Sequence, residues 1–404
     1  MNSDIALSFD NTEQAFAYKS DKQLSKTRYL FQLMNQQWLV KSGIKATLLA
    51  LKWELPIIGI LRSTIFEQFV GGETLQETTA SINNLRSYGI DVILDYGAEG
   101  KETEADFEKT KEEFIRVINH ASKHSNVKLI GIKLTALARF ELLEKLNTST
   151  LISTDKINVD TTHLSSAEKE EWGKVTQRLV ELCELADKKN IGILIDAEES
   201  WIQNTIDALT MDVMQRYNHR KVLVYNTIQL YRHDRLDFLE QCYAIAADND
   251  FILGAKIVRG AYMEKERKRA GELNESTVIQ PDKSASDRDF NEAITFCIRH
   301  LDRISLIIAS HNEHSAQLAV QLLDQAGLPV NHPHIHFSQL YGMSDNITFN
   351  LARIGCNVSK YLPYGPIKDV VPYLMRRAQE NSSVAGQTSR ELFLIEKEVK
   401  RRGI

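Results

Sequence analysis

From about residue 90 onward, short apolar runs alternate with longer amphipathic stretches, and this alternation limits the folds that the chain can adopt. A short unbroken apolar run is typical of a strand that is covered on both faces, as strands of parallel sheets are. Eight strands that alternate with helices predict an α/β fold, a distorted (β/α)8 barrel of the TIM type with N-terminal helical arms. The predicted strands are 91–95, 127–134, 191–196, 221–226, 252–258, 304–310, 334–338 and 356–362.

The remaining segments predict how the chain is divided. Residues 1–85 are expected to form a helical arm outside the barrel, residues 86–390 the barrel, and residues 391–404 a helical tail. Ser165 and Glu168 have the spacing of a capping box, which predicts the start of a helix that buries Trp172. The long polar stretch 140–164 fits a lid, an oligomer contact or a simple insertion equally well.

Composition and charge exclude several classes of protein. With 43% hydrophobic residues, 25% charged residues and a net charge of −5, the chain has a globular composition and no expected nucleic-acid partner. Its four cysteines have no metal or CxxC spacing, which favours buried thiols in a reducing compartment.

The first ten residues resemble neither a signal nor a transit peptide, so we expect a cytoplasmic protein. The apolar segment 53–66 contains charges and a proline, which favours a core or docking helix over a membrane span.

Common catalytic and nucleotide motifs are absent from the sequence. It contains no GxSxG, HExxH, GxxxxGK[ST] or GxGxxG pattern, so hydrolase, zinc-protease, P-loop and Rossmann chemistry are unsupported. His332, His334 and His336 alternate as metal ligands on a strand can, but no acidic residue lies close to them in sequence. We therefore expect no metal site.

Polar side chains lie near or directly after the ends of six of the eight predicted strands, and a barrel would gather them at one rim. These residues are Lys133, Asp196, Gln229, Lys256, Arg259, Tyr262, Ser310, His311, Asn312, Tyr361 and Tyr364, and Gly260 and Ala261 lie between Arg259 and Tyr262. Further along, Arg376 and Arg377 precede Glu380 at helical spacing. Adjacent arginines diverge by roughly 100° around a helix, so one can bind a carboxylate bidentately while the other reaches elsewhere.

Nine collinear segments resemble the proline dehydrogenase family, the FAD-dependent barrel enzymes that oxidise L-proline to Δ1-pyrroline-5-carboxylate. The wording of residues 255–270 is most similar to the monofunctional, eukaryote-like branch. The segments are FVGGETLQE (69–77), IKLTALAR (132–139), ILIDAEES (193–200), YNTIQLYR (225–232), AKIVRGAYMEKERKRA (255–270), ASHNEHS (309–315), HFSQLYGMSD (336–345), KYLPYGP (360–366) and YLMRRAQENSS (373–383).

The resemblance implies a role for each matching position. Glu73 would pair with Arg376 and help to gate the site. Asp196, Lys256 and Tyr361 are implied as catalytic, and the implied substrate-binding residues are Lys133, Tyr262, Leu340, Tyr361, Arg376 and Arg377. The implied FAD-binding residues are Ala197, Gln229, Lys256, Val258, Arg259, Gly260, Ala261, Ser310, His311, Asn312 and Glu380.

The resemblance also implies a first step of proline degradation, with electrons passed to a quinone and transient contact with the inner membrane. Lys256 departs from the bacterial pattern, in which arginine is common, so its contact with the flavin is not implied. Hydroxyproline oxidation is the nearest alternative, and the bulk of Tyr361 favours proline. A non-catalytic barrel that serves as a scaffold or sensor is the other alternative.

Overall fold

The computed structural model describes the backbone of residues 7–53, 57–97, 102–153, 156–383 and 387–404. Its contacts divide the chain into two compact units. The first unit comprises Met1–Gly97 and Ser338–Ile404, and the second unit comprises Ala98–Phe337.

Within the described residues, eight parallel strands form a closed barrel, as the apolar runs predict. The strands are β1 (Asp91–Tyr96), β2 (Val127–Ile132), β3 (Thr150–Ser153), β4 (Lys156–Val159), β5 (Gly192–Ile195), β6 (Val224–Gln229), β7 (Leu253–Val258), β8 (Ile304–Ala309), β9 (Ile335–Leu340) and β10 (Val358–Tyr364). The barrel order is β1-β10-β9-β8-β7-β6-β5-β2, whereas β3 and β4 pair in a separate antiparallel hairpin.

Helices precede, connect and follow the strands. Before β1 lie α1 (Thr12–Ala15), α2 (Asp21–Met34), α3 (Gln37–Lys52), α4 (Ile58–Leu61), a π-helical turn (Arg62–Phe66), α5 (Glu67–Phe69) and α6 (Leu75–Arg86). The next are α7 (Glu104–Ala121), a 3-10 turn (Leu134–Ala136), α8 (Phe140–Asn147), α9 (Ser166–Lys189), α10 (Ser200–Tyr217), α11 (Arg235–Asp248), α12 (Met263–Leu273), α13 (Lys283–Arg299) and α14 (Glu313–Gln325). The last are α15 (Asp345–Arg353), α16 (Ile367–Ser383) and α17 (Gln387–Arg402).

Local sequence explains several of these elements. The Ser165 hydroxyl accepts a hydrogen bond from the Glu168 N–H, and the Glu168 carboxylate accepts one from the Ser165 N–H, so the capping box at α9 is confirmed. Trp172 is only half-buried and packs against a small apolar cluster around Leu142, Leu146 and Leu164. The four cysteines are free and buried, as predicted.

One local prediction needs correction, and one stretch contains elements that were not predicted. The fourth barrel strand begins at Val224 and ends at Gln229, three residues beyond the predicted end. Thr227 and Gln229 are polar yet buried, so a search for apolar runs does not detect them as part of a strand. The stretch 140–164 contains α8 and the β3–β4 hairpin, which its polar composition did not predict.

The first unit has its own apolar core. Helices α2, α3, α16 and α17 contribute buried residues such as Phe31, Val40, Leu374 and Leu394 to one cluster. Within the same unit β1 pairs with β10 along the whole length of β1, with Ile93 opposite Tyr361.

Candidate functional site

In the second unit, a buried ion pair joins two strand ends. Asp196 directly follows β5, and its N–H donates to the carbonyl of Ile132 on β2 at 2.9 Å. Lys256 lies on β7, and its Nζ is 2.5 Å from Asp196 Oδ1. The side chains are only 8% and 13% exposed, so each charge depends on the other for compensation. The sequence predicted both residues as catalytic, and the structure brings them into contact.

Gln229 ends β6 beside this pair of strands and is almost fully buried. Its Nε2 donates to the carbonyl of Glu198 at 2.7 Å and to the Tyr231 hydroxyl at 3.0 Å. Its Oε1 is buried and has no hydrogen-bond partner among the described residues. A buried amide oxygen without a donor is costly, so this atom is suited to receive a donor from a ligand.

Arg259 follows β7 and is fixed by several partners. Its guanidinium donates to Ser310 Oγ at 2.7 Å and to Ser315 Oγ at 2.8 Å, and Nε lies 2.8 Å from Asp287 Oδ1. The guanidinium also lies 3.8 Å from the centre of the Phe290 ring. Burial lowers the pKa of Arg259 to about 10, so the side chain stays charged at neutral pH.

Ser310, which accepts a hydrogen bond from Arg259, also orders the loop after β8. Ser310 Oγ accepts from the Asn312 N–H at 3.1 Å, and Asn312 Oδ1 caps α14 by accepting from the Ser315 N–H at 3.2 Å. His311 lies between them and is half-buried. The three predicted cofactor residues of this loop are therefore held in one turn beside Arg259.

A glycine in the loop after β7 lies close to two side chains. A Cβ added at Gly260 would lie 2.6 Å from Met263 Cγ and 3.0 Å from Tyr231 Cγ, so the Met263 side chain would have to move. Arg259 and Ala261 flank this glycine, Val258 ends β7, and Tyr262 immediately precedes α12. A larger residue at position 260 would therefore displace the side chain of Met263.

Glu198, two residues after Asp196, is a buried carboxyl group that the sequence did not single out. Its two oxygens accept from the Thr135 N–H at 3.1 Å and the Thr135 hydroxyl at 2.5 Å. Burial raises the pKa of Glu198 to about 7, although Thr135 and the nearby charge of Lys133 oppose the shift. The one available signal was its place in the DAEES segment, and Ala197 separates it from Asp196.

In the first unit, α16 carries the arginine pair. Arg377 is 7% exposed, and its guanidinium lies 5.2 Å from the centre of the Tyr373 ring. Arg376 is half-buried. Tyr361 is buried on β10, where its carbonyl accepts from the Tyr341 N–H at 2.9 Å, and Leu340 ends β9.

Two further predictions concern this helix. Glu73 Oε1 is 3.1 Å from Arg62 Nη1. Glu73 Oε2 accepts a hydrogen bond from the Ile367 N–H, at the start of α16, at 3.3 Å. The predicted pairing of Glu73 with Arg376 is not one of these contacts and stays a prediction. The side chain of Glu380 lies outside the described residues.

The alternating histidines do not share one strand. Strand β9 begins at Ile335, so His332 and His334 precede it, and the His334 ring is 2.6 Å from the Leu301 carbonyl. His336 lies within the strand, and burial lowers its pKa to about 4.

Across the residues that the structure describes, no helix is long and apolar enough to cross a membrane.

Comparison with known proteins gives consistent matches. The family model described as proline dehydrogenase matches residues 78–390. The chain is 33% identical over 381 residues to proline dehydrogenase 1, mitochondrial, of Dictyostelium discoideum. This match covers 86% of this chain and 66% of that protein. It is 32% identical to the carbapenem antibiotics biosynthesis protein CarD of Pectobacterium carotovorum, over 85% of this chain and 86% of that protein. The chain thus spans just under two thirds of the Dictyostelium protein.

A solved structure is similar in fold. The crystal structure of proline utilization A (PutA) from Bdellovibrio bacteriovorus, inactivated by N-propargylglycine, superposes with a TM-score of 0.70 at 17% identity. The match covers 96% of this chain and 40% of that one. At this identity the likeness shows the barrel fold alone.

Proposed function

Because this chain belongs to the proline dehydrogenase family, we propose that it oxidises L-proline to Δ1-pyrroline-5-carboxylate with FAD as cofactor and a quinone as electron acceptor. The observation that carries the proposal is the match of the family model to residues 78–390. This range contains every proposed site residue except Glu73.

The residues of the second unit fit a flavin. The unpartnered Gln229 Oε1 suits a ring N–H donor. Arg259 and Lys256 are fixed cationic donors, each paired with an aspartate that offsets its charge. Hydrogen bonds from such donors suit an anionic group such as a pyrophosphate or a reduced ring. When bound, FAD would supply the hydride acceptor.

We propose that Lys133, Arg376 and Arg377 hold the proline carboxylate. Three cations suit one carboxylate, because charge-assisted hydrogen bonds fix both its position and its orientation. Tyr361 and Tyr262, with Leu340, would enclose the apolar pyrrolidine ring. Glu73 contacts the first turn of α16, so a movement of Glu73 would shift the helix that carries both arginines.

The chemistry demands that the substrate be held with its C5 hydrogen directed at the acceptor and with water excluded. Asp196 and Lys256 form a pair that is nearly neutral overall and rigid, which suits positioning.

An anaerobic titration with L-proline tests the proposal. The purified protein, loaded with FAD, should lose its yellow absorbance as proline is added and regain it when a quinone is supplied. A protein that remains colourless after incubation with FAD would favour the scaffold or sensor alternative. A protein that binds FAD but is not bleached by proline would exclude proline as the substrate.

Comparison of kcat/KM for L-proline and 4-hydroxy-L-proline separates the two substrates. We expect a preference for proline, because the buried Tyr361 ring leaves little room for a ring hydroxyl. Tyr361→Ser should reduce this preference by enlarging the site. A higher kcat/KM for hydroxyproline in the parent protein would refute the choice of proline.

A further inference from the structure

Helix α12 buries one residue, and that residue is an acid. Within α12, whose residues Met263–Leu273 are all described, Glu266 alone is buried, at 4% exposure. A helix on the surface of a protein ordinarily buries an apolar stripe. Polar contacts therefore contribute much of what fixes α12, and those of Glu266 are the buried ones.

Both carboxylate oxygens of Glu266 bind the first residue of α10. Oε1 accepts a hydrogen bond from the Ser200 N–H and Oε2 accepts one from the Ser200 hydroxyl, both at 2.7 Å. The first N–H groups of a helix have no partner within the helix, and the helix dipole favours a negative charge beside them. In the described structure the side chain of Glu199, which precedes α10, does not cap the helix. Glu266 therefore supplies from α12 the acceptor that an N-cap residue usually provides.

The contact of Glu266 with Ser200 joins two segments that carry proposed site residues. Ser200 lies shortly after Asp196, in the segment that follows β5. Glu266 lies one helical turn after Tyr262, in the segment that follows β7, and the Glu266 N–H donates to the Tyr262 carbonyl at 2.9 Å.

Two links therefore span β6, the strand that lies between β5 and β7 in the barrel. One is the ion pair of Asp196 with Lys256, and the other is the contact of Ser200 with Glu266. One link would leave the two segments free to pivot about it, whereas a second link also fixes their direction.

We propose that Glu266 is a positioning residue of the proposed flavin site. Its carboxylate, bound at the start of α10, sets where Tyr262 and the backbone of Gly260 and Ala261 lie relative to Asp196. The inference rests on the proposed function, because these are residues that are proposed to meet FAD and proline. Glu266 acts through them and takes no part in hydride transfer itself.

Binding of FAD tests this role without catalysis. Titration of FAD fluorescence with the full-length protein gives the dissociation constant. Glu266→Ala removes both acceptors and should weaken FAD binding about tenfold or more, since two hydrogen bonds to a charged group are lost. Glu266→Gln keeps an acceptor for the Ser200 N–H and gains a donor to the Ser200 hydroxyl, so it should bind FAD within about threefold of the parent.

Ser200→Pro breaks the same contact from the side of α10. Proline is favoured at the first position of a helix, where its missing N–H has no partner within the helix. Glu199 has a φ of −71° and a ψ of 150°, the extended conformation that a residue before proline prefers. The variant should therefore keep α10 and weaken FAD binding as Glu266→Ala does, and combining the two changes should weaken it no further. If Glu266→Ala does not fold, binding of FAD by Ser200→Pro with the affinity of the parent overturns the proposal.

Asn218→Ala is the matched control, because it removes a buried polar side chain at the other end of α10. Asn218 directly follows α10 and is fully buried, and its Oδ1 accepts from the Leu223 and Val224 N–H groups, each at 2.9 Å. This variant should lower the free energy of unfolding in urea but bind FAD as the parent does. If it weakens FAD binding as much as Glu266→Ala does, loss of stability alone explains the effect and the proposal is overturned.

Kinetics with saturating FAD separate this inference from the proposed function. Glu266→Ala should raise the KM for proline about fivefold or more, because Tyr262 is displaced from the substrate, and Glu266→Gln should restore the KM of the parent. Equal FAD affinity and equal KM in Glu266→Ala and the parent would refute the positioning role alone. A parent that does not bind FAD, or that binds FAD but is not bleached by proline, would instead refute the proposed function.

Discussion

Replacement of Glu198 by glutamine tests the electrostatics of the candidate site. Glu198 is 4% exposed and accepts two hydrogen bonds from Thr135. Burial raises its pKa to about 7 from an ordinary value of 4.5. Glutamine has nearly the same shape and can keep a hydrogen bond to Thr135, but it cannot ionise. The substitution therefore removes the titration with little change in packing.

The size of the effect follows from the shift in pKa. A rise from 4.5 to about 7 corresponds to about 3 kcal/mol at 1.36 kcal/mol per pKa unit. Between these two pH values the folded protein binds the proton while the unfolded chain has released it, so the free energy of unfolding falls as pH rises. For this residue the loss should be complete above pH 7, and no further change should occur below pH 4.5.

Urea unfolding at several pH values between 4.5 and 8 measures this dependence. The difference in free energy of unfolding between Glu198→Gln and the parent should change by about 3 kcal/mol across that range, in favour of the variant at high pH. The slope due to Glu391, whose pKa burial also raises to about 7, should remain in both proteins. Glu240→Gln removes an exposed carboxylate of α11 and is the control.

A constant difference between Glu198→Gln and the parent at all pH values would contradict the reasoning. It would mean that Glu198 titrates alike in the folded and unfolded chains, and that water reaches the Thr135 contact. A variant that loses stability at every pH would instead show that glutamine does not replace the hydrogen bonds of the carboxyl group.

Three further outcomes follow from the site and its surroundings. Arg376→Met should raise the KM for proline by about 10- to 100-fold, measured by steady-state kinetics, because a charge-assisted hydrogen bond is lost, and should leave the flavin spectrum unchanged. Asp196→Asn should abolish most activity and lower the free energy of unfolding by up to about 3 kcal/mol, because Lys256 keeps a buried charge without its counter-ion. Asp207→Asn should destabilise the protein by about 3 kcal/mol or more in urea, because its pair with Arg235 is fully buried.

Controls make these outcomes specific. Asp212→Asn changes a half-exposed acid of the same helix as Asp207 and should alter stability by less than about 0.5 kcal/mol. An unchanged KM in Arg376→Met would exclude that residue from carboxylate binding. Full activity in Asp196→Asn would remove it from the site.

Much of the fold could be predicted from local sequence. Apolar runs identified the eight barrel strands because strands covered on both faces must be apolar along their length. The capping box at Ser165 could also be predicted from the sequence, since its two hydrogen bonds join residues three positions apart. The proposed site residues came from motif resemblance, and the contact of Asp196 with Lys256 agrees with their prediction at one rim of the barrel.

The sequence by itself determined the barrel and the order in which polar residues reach its strand ends, because both depend on the pattern of neighbours along the chain. Only the tertiary structure decided the pKa of Glu198, the polar end of β6 and the half-exposure of Trp172, since burial of a polar or aromatic group depends on distant segments. The exposure of Trp38 in α3 and of Trp53 just after it also depends on tertiary structure. Whether Trp38 and Trp53 face solvent depends on which side of α3 packs against α16, more than 300 residues further along the chain.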